Sequence, residues 1–145
     1  MALKHSPKAA ALTQLILEIF RINGGLLGAG DKLVAPLGQT SSRWQVLGAI
    51  EKAPATVPQI GRGMGISRQS VQRTADLLVK DGLCEFIANP DHQRSPQLRL
   101  TKKGVTLLDK ITRTQIEWAN RLADGLSEND FELARRVLVK LRTRL

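Results

Sequence analysis

Apolar residues recur at helical spacing over most of the chain and alternate with polar ones in one short stretch. From Ala9 to Phe20, Leu12, Leu15, Ile16, Ile19 and Phe20 form one stripe, which predicts an amphipathic helix. Gly24, Gly25, Gly28 and Gly30 follow. Each glycine costs a helix about 1 kcal/mol relative to alanine, so a kink, a break or a close helix crossing is expected there. Ala35-Pro36-Leu37-Gly38 reads as a stop. Thr40 or Ser41 can cap the next helix, which carries Trp44, Leu47 and Ile50 on one face and is expected to reach Lys52. Ala53-Pro54-Ala55 ends it.

Two short helices come next. The first covers Val57 to Met64. Gly65-Ile66 makes a tight turn, and Ser67 caps the second, which runs to Asp81-Gly82. Leu83 to Ala88 reads as a strand. Asn89 to Pro96 is a polar loop of turn formers, and Gln97-Leu98-Arg99-Leu100 alternates as a half-buried strand does. Together they predict a two-stranded hairpin with a long tip. Thr101 caps a helix from Lys102 to Asp124-Gly125. Ser127 caps a last one, with Phe131, Ala134, Val137, Leu138 and Leu141 along its stripe.

The segment from Ile60 to Val71 has the spacing of a helix-turn-helix. The crossing of the two helices needs a small residue in the first, supplied by Gly61. The turn needs a residue that tolerates positive φ, supplied by Gly65. Apolar Ile60, Met64, Ile66 and Val71 flank both. A wheel of the second helix, started at Arg68, gathers Gln72, Asp76, Gln69, Lys80 and Arg73 on one arc, and Val71, Ala75 and Leu78 on the opposite one. Arg can pair with guanine O6 and N7, and Gln with adenine N6 and N7. Arg68, Gln69, Gln72 and Arg73 are therefore candidate base readers, and Ser67 a candidate phosphate holder at the helix N-terminus. A helix-turn-helix followed by a hairpin is a winged helix. Arg94 at the tip is placed to enter a minor groove, Asp91 to brace the wing through turn hydrogen bonds or an ion pair, and Arg99 to reach phosphate. His92 reads as a solvated loop residue.

Charge agrees with this reading. Lys and Arg number 22 against 13 Asp and Glu, a net +9, and the pI is near 10.5. A pI above about 9 is an electrostatic footprint of nucleic-acid binding. The length, 145 residues, suits one domain. No continuous run of about 18 apolar residues occurs, so no membrane span and no membrane partner are expected. No secretory signal is expected either. The single cysteine, Cys84, excludes an internal disulfide. It sits on the first wing strand, where a buried, inert thiol is expected, and it fits a cytoplasmic location. Enzyme signatures are missing. Gly25 to Gly30 only imitates a P-loop, because Asp31 stands where the motif needs Lys. His5, His92 and Cys84 lack zinc spacing, so no metal, no cofactor and no catalytic residue are expected.

Asp91, Arg94, Leu100, Thr101 and Gly104, with Thr40 to Leu47 and Leu77 to Leu83, resemble the MarR family of transcriptional regulators. The resemblance implies a mainly α fold with a small β-hairpin: a winged helix-turn-helix lobe over residues 40–101, and a helical dimerisation region over 1–38 and 102–145, all within one domain. It implies a homodimer that binds double-stranded DNA at a near-palindromic operator as a repressor. It also implies release by a small aromatic or amphipathic ligand. Arg43 and Trp44, at the junction of lobe and dimer region, are the candidates for that pocket, with core packing the competing role of Trp44. Leu122, Leu126, Phe131, Leu138, Leu141 and Leu145 exceed what two isolated helices need, which independently favours a second copy. A winged helix that binds a protein partner, or an architectural DNA binder without sequence preference, is the alternative.

Overall fold

The computed structural model describes residues 3–91 and 94–145. His92, singled out above, lies outside the described residues. The element order is α1 (Pro7–Val34), a 3₁₀ turn (Ala35–Leu37), α2 (Ser41–Ala49), β1 (Ala55–Thr56), α3 (Val57–Met64), α4 (Arg68–Lys80), β2 (Cys84–Ile87), β3 (Gln97–Leu100), α5 (Lys102–Ala123) and α6 (Glu128–Arg142). Two compact units result, Met1–Ile111 and Thr112–Leu145.

The core belongs to the first unit. Val46 and Leu47 from α2, Ile50 at its C-cap, Ile60 from α3, and Val71, Ala75 and Leu78 from α4 are buried with Leu98, Leu108 and Ile111. These are the apolar stripes read from the sequence, each turned inward to remove its surface from water. Two glycines set the crossing of α3 and α4. A Cβ on Gly61 would lie 2.7 Å from the Ile66 carbonyl oxygen, so the turn passes over a position only glycine can fill. Gly65 ends α3 at φ 66°, and its N–H donates to Gly61 O.

Three features differ from the sequence expectation. Helix α1 runs unbroken through Gly24, Gly25 and Gly28, around which an added Cβ would meet nothing within 4 Å. Only Gly30 marks a close crossing. A side chain there would collide with Ser41, whose Oγ donates to Leu27 O at 2.7 Å and whose N–H donates to Asp31 Oδ1 at 2.7 Å. The hairpin is the larger part of a three-stranded antiparallel sheet, in the order β1-β3-β2, with Ala55 opposite Leu98 and Thr56 opposite Gln97. Helix α2 stops at Ala49, short of Lys52.

Thr56 then begins α3 through a capping box. Its Oγ1 accepts from Gln59 N at 3.2 Å, and its own N–H donates to Gln59 Oε1 at 2.9 Å. Strand β1 and helix α3 are thereby joined without a loop. Ser127 occupies the N-cap of α6, but its side chain makes no capping bond.

Apolar side chains remain uncovered in both units. On α1 these include Phe20 (71% exposed), Ile22 and Leu26, and in the second unit Leu122, Leu126, Phe131 and Leu138. The stretch from Pro7 to Leu37 is long and apolar enough to cross a membrane by length and composition. That corrects the expectation of no such segment, which rested on continuous apolar runs. Gln14, Glu18, Arg21 and Asn23 interrupt the run, while the Leu, Ile, Phe and Ala around them keep the average apolar. A helical partner would cover the same side chains equally well.

Candidate nucleic-acid interface

Helix α4 is anchored by one face and presents the other. Val71, Ala75 and Leu78 are buried, while Arg68, Gln69, Gln72, Arg73 and Asp76 are all exposed. Ser67 starts the helix, with its Oγ accepting from Ser70 N at 3.1 Å and donating to Ser70 Oγ at 3.0 Å. The candidate phosphate-holding hydroxyl is thus engaged in capping. The backbone N–H groups of the first turn remain the anion-facing feature of this end.

Beside that face runs a groove of about 430 Å³. It is bounded by Val57 and Pro58 at the start of α3, by Arg68, Gln69 and Gln72 on α4, and by Phe86, Arg94, Ser95 and Pro96 of the wing. Four of the seven residues proposed from sequence to touch DNA therefore meet in one place. Arg73 stands further round the exposed arc. Phe86, Pro58 and Pro96, which sequence reasoning did not single out, add apolar lining to the groove.

Arg99, expected to reach phosphate, makes an ion pair within the wing. It stands opposite Glu85 across β2 and β3, and its Nε donates to Glu85 Oε1 at 2.7 Å. A cross-strand pair of opposite charges steadies the wing, so phosphate contact would have to compete with that carboxylate. In the wing turn, the Asp91 N–H donates to Asn89 Oδ1 at 3.0 Å. This is an Asx-type bond with Asn89 as the side-chain partner.

Arg43 and Trp44 have structural duties. Arg43 has a side chain only 15% exposed and makes an ion pair with Asp81, the C-cap of α4; its Nε donates to Gln39 Oε1 at 2.8 Å. The guanidinium, by hydrogen bond and then by charge, holds the Asp81 carboxyl below its ordinary range. Lys103 Nζ donates to Asp81 O at 2.9 Å, and Thr101 Oγ1 donates to Gly82 O at 2.6 Å. The end of α4 is thus tied to α2 and to the start of α5. Trp44 packs against the core near Gly30. Neither residue lines the second cavity, about 710 Å³, which is bounded by Leu37, Gln39, Asp81, Leu83, Lys103, Thr106, Leu107 and Lys110. Cys84 is buried, and that burial pushes its thiol up to about 12.

A family model described as the MarR family matches residues 37–95. An uncharacterized protein of Mycobacterium tuberculosis is 38% identical over 135 residues, covering 90% of this chain and 94% of its own. This chain belongs to the MarR family. The segment matched by the MarR model runs from the 3₁₀ turn to the wing and includes the whole α4 face and Arg94. Two solved structures extend the likeness of fold over nearly all of the chain. A mutant MarR of E. coli complexed with operator DNA has a TM-score of 0.77 at 20% identity, covering 90% of this chain and 95% of that one. CouR of Rhodococcus jostii, bound to p-coumaroyl-CoA, has a TM-score of 0.79 at 22% identity, covering 88% and 91%. The mainly helical MarR winged-helix fold expected from sequence is the fold found, with its small antiparallel sheet.

Proposed function

We propose that this MarR-family chain is a sequence-specific DNA-binding transcription regulator that acts as a homodimer, as a repressor, on a near-palindromic operator. The observation that carries the reading is the groove where Arg68, Gln69 and Gln72 of α4 meet Arg94 of the wing. Donors that match base edges stand beside a cation suited to a narrow minor groove. Arg73 extends the same exposed face, and the N-terminal turn of α4 beside Ser67 faces the backbone. The net charge of +9 favours a polyanion in general, and the E. coli MarR complex shows operator DNA as the ligand of a protein with this fold.

A second copy of the chain covers the apolar side chains left exposed on α1 and in the second unit. Residues 1–38 and 102–145 supply that contact, and residues 40–101 the DNA lobe. Such a dimer sets its recognition helices about 34–36 Å apart, one turn of duplex. The 710 Å³ cavity, with Leu37, Leu83 and Leu107 beside Lys103 and Lys110, suits a small amphipathic ligand carrying a negative charge. CouR, with the same fold, binds p-coumaroyl-CoA, a larger amphipathic anion. The protein works in the cytoplasm, where its DNA lies.

The test is selection from a random duplex library at physiological salt, followed by anisotropy titration of the enriched sequence. A palindrome with half-sites about one turn apart is expected. Arg73→Ala should weaken binding to that site by about 1–3 kcal/mol and relax one base position per half-site. A folded, dimeric preparation that enriches nothing would replace this reading with a protein-binding or architectural role.

A further inference from the structure

The only acid on α4 is Asp76, and it is bonded to a groove residue. Gln72 Nε2 donates to Asp76 Oδ1 at 2.9 Å, four positions along the helix, with both side chains exposed. A carboxylate only accepts hydrogen bonds, so the amide nitrogen of Gln72, and not its oxygen, must face Asp76. One N–H of that amide is taken. The other N–H and Oε1 remain to meet a base.

We infer that Asp76 holds the Gln72 amide in the orientation that reads adenine, which makes Asp76 a specificity-determining positioning residue. The inference rests on the DNA-binding reading above. In the major groove adenine presents one acceptor, N7, and one donor, N6–H₂. The remaining N–H and Oε1 of Gln72 complement that pair. Guanine presents two acceptors, N7 and O6, and would set O6 against Oε1. The negative charge of Asp76 opposes guanine further.

Without the acid the amide can turn over, because the last torsion of a Gln side chain is broad and two-fold. Both N–H groups then become available to guanine. An acid on a DNA-facing surface also repels phosphate. Its removal should therefore raise affinity for random duplex while lowering discrimination. A pair that only steadied the helix would leave discrimination unchanged.

The experiment uses the full chain as wild type, Asp76→Ala, Asp76→Asn and Gln72→Ala, each checked for helix content by circular dichroism. Random-duplex selection and anisotropy titration are read for each. Wild type should select adenine at one position per half-site, and Gln72→Ala should lose that preference alone. Asp76→Ala should keep every other position, bind random duplex more tightly, and lose about tenfold of the adenine-over-guanine preference there. Asp76→Asn, whose amide can pair with Gln72 either way round, should admit both purines. A wild-type motif left unchanged in both Asp76 variants overturns this inference and leaves the DNA-binding reading standing. So does a Gln72→Ala effect at a position that is not adenine. A wild type that enriches no motif overturns both.

Discussion

Replacing Gly61 by alanine adds one methyl group under the turn that aims α4. The added carbon would lie 2.7 Å from Ile66 O, with Arg68 N at 3.7 Å. A carbon and a carbonyl oxygen meet comfortably at about 3.3–3.6 Å, so the contact is short by roughly 0.6–0.9 Å. The neighbour is backbone and cannot turn aside by changing rotamer. Ile66 N also donates to Gly61 O at 2.9 Å, which ties the same two residues together. Overpacking of this kind costs about 1–3 kcal/mol. Alanine returns about 1 kcal/mol through its better helix propensity. The net expectation is a loss of roughly 0–2 kcal/mol.

Gly63 supplies the control. It lies in the same helix, is exposed, and an added Cβ would meet nothing within 4 Å. Gly63→Ala should stabilise by about 0.4–1 kcal/mol. The difference between the two variants removes the propensity contribution and leaves the steric one, about 1–3 kcal/mol. Urea denaturation at one protein concentration reads it, since the concentration must be fixed if the chain associates. With slopes of about 1–3 kcal/mol per molar urea, the midpoints should separate by roughly 1 M. Gly61→Ala should also bind operator less tightly where both variants are fully folded, because relief of the contact moves the start of α4. A Gly61→Ala midpoint equal to or above that of Gly63→Ala would refute the reasoning.

Three further expectations follow from the same geometry. Leu98 is 0% exposed on the central strand, so Leu98→Ala should cost about 2–5 kcal/mol by urea denaturation; a loss under 1 kcal/mol would contradict its place in the core. The Cys84 thiol, raised to about 12 by burial, should resist an aromatic disulfide reagent at pH 8 until the protein is unfolded, and rapid stoichiometric labelling of the native protein would count against that burial. Asp81 titrates below its ordinary value when folded, so its pair with Arg43 stabilises fully above the unfolded carboxylate pKa of about 3.9 and is lost as pH falls through the lower folded value. The urea midpoint of Asp81→Asn should therefore lie below wild type at pH 7, with the gap closing in acid, and a gap independent of pH would exclude the ion pair as its source.

What the sequence reveals here depends on how local the determining physics is. Helix α3 spans the residues read from the sequence, Val57–Met64, because its apolar stripe, Gly61 and the cap Gly65 act within a dozen positions. Strand β1 escapes notice because two residues carry no period. It exists through the register of β3, some 40 positions along the chain. The glycines of α1 mislead for a related reason. Propensity charges each of them equally, yet only Gly30 faces a neighbour, and the crossing of α2 at Ser41 is what selects it. The candidate interface divides along the same line. Arg68, Gln69 and Gln72 are legible from the wheel of a single helix. The pairing of Arg99 with Glu85 is not legible there because it depends on hairpin register. The pairing of Arg43 with Asp81 is hidden because the partner lies 38 positions away. The Gln72–Asp76 bond is the instructive exception. It is local, four residues apart, and was open to the same wheel that named Gln72. Sorting side chains by arc records which ones face outward and passes over what they do to one another. On a surface that reads bases, the neighbour that fixes a donor's direction carries as much information as the donor.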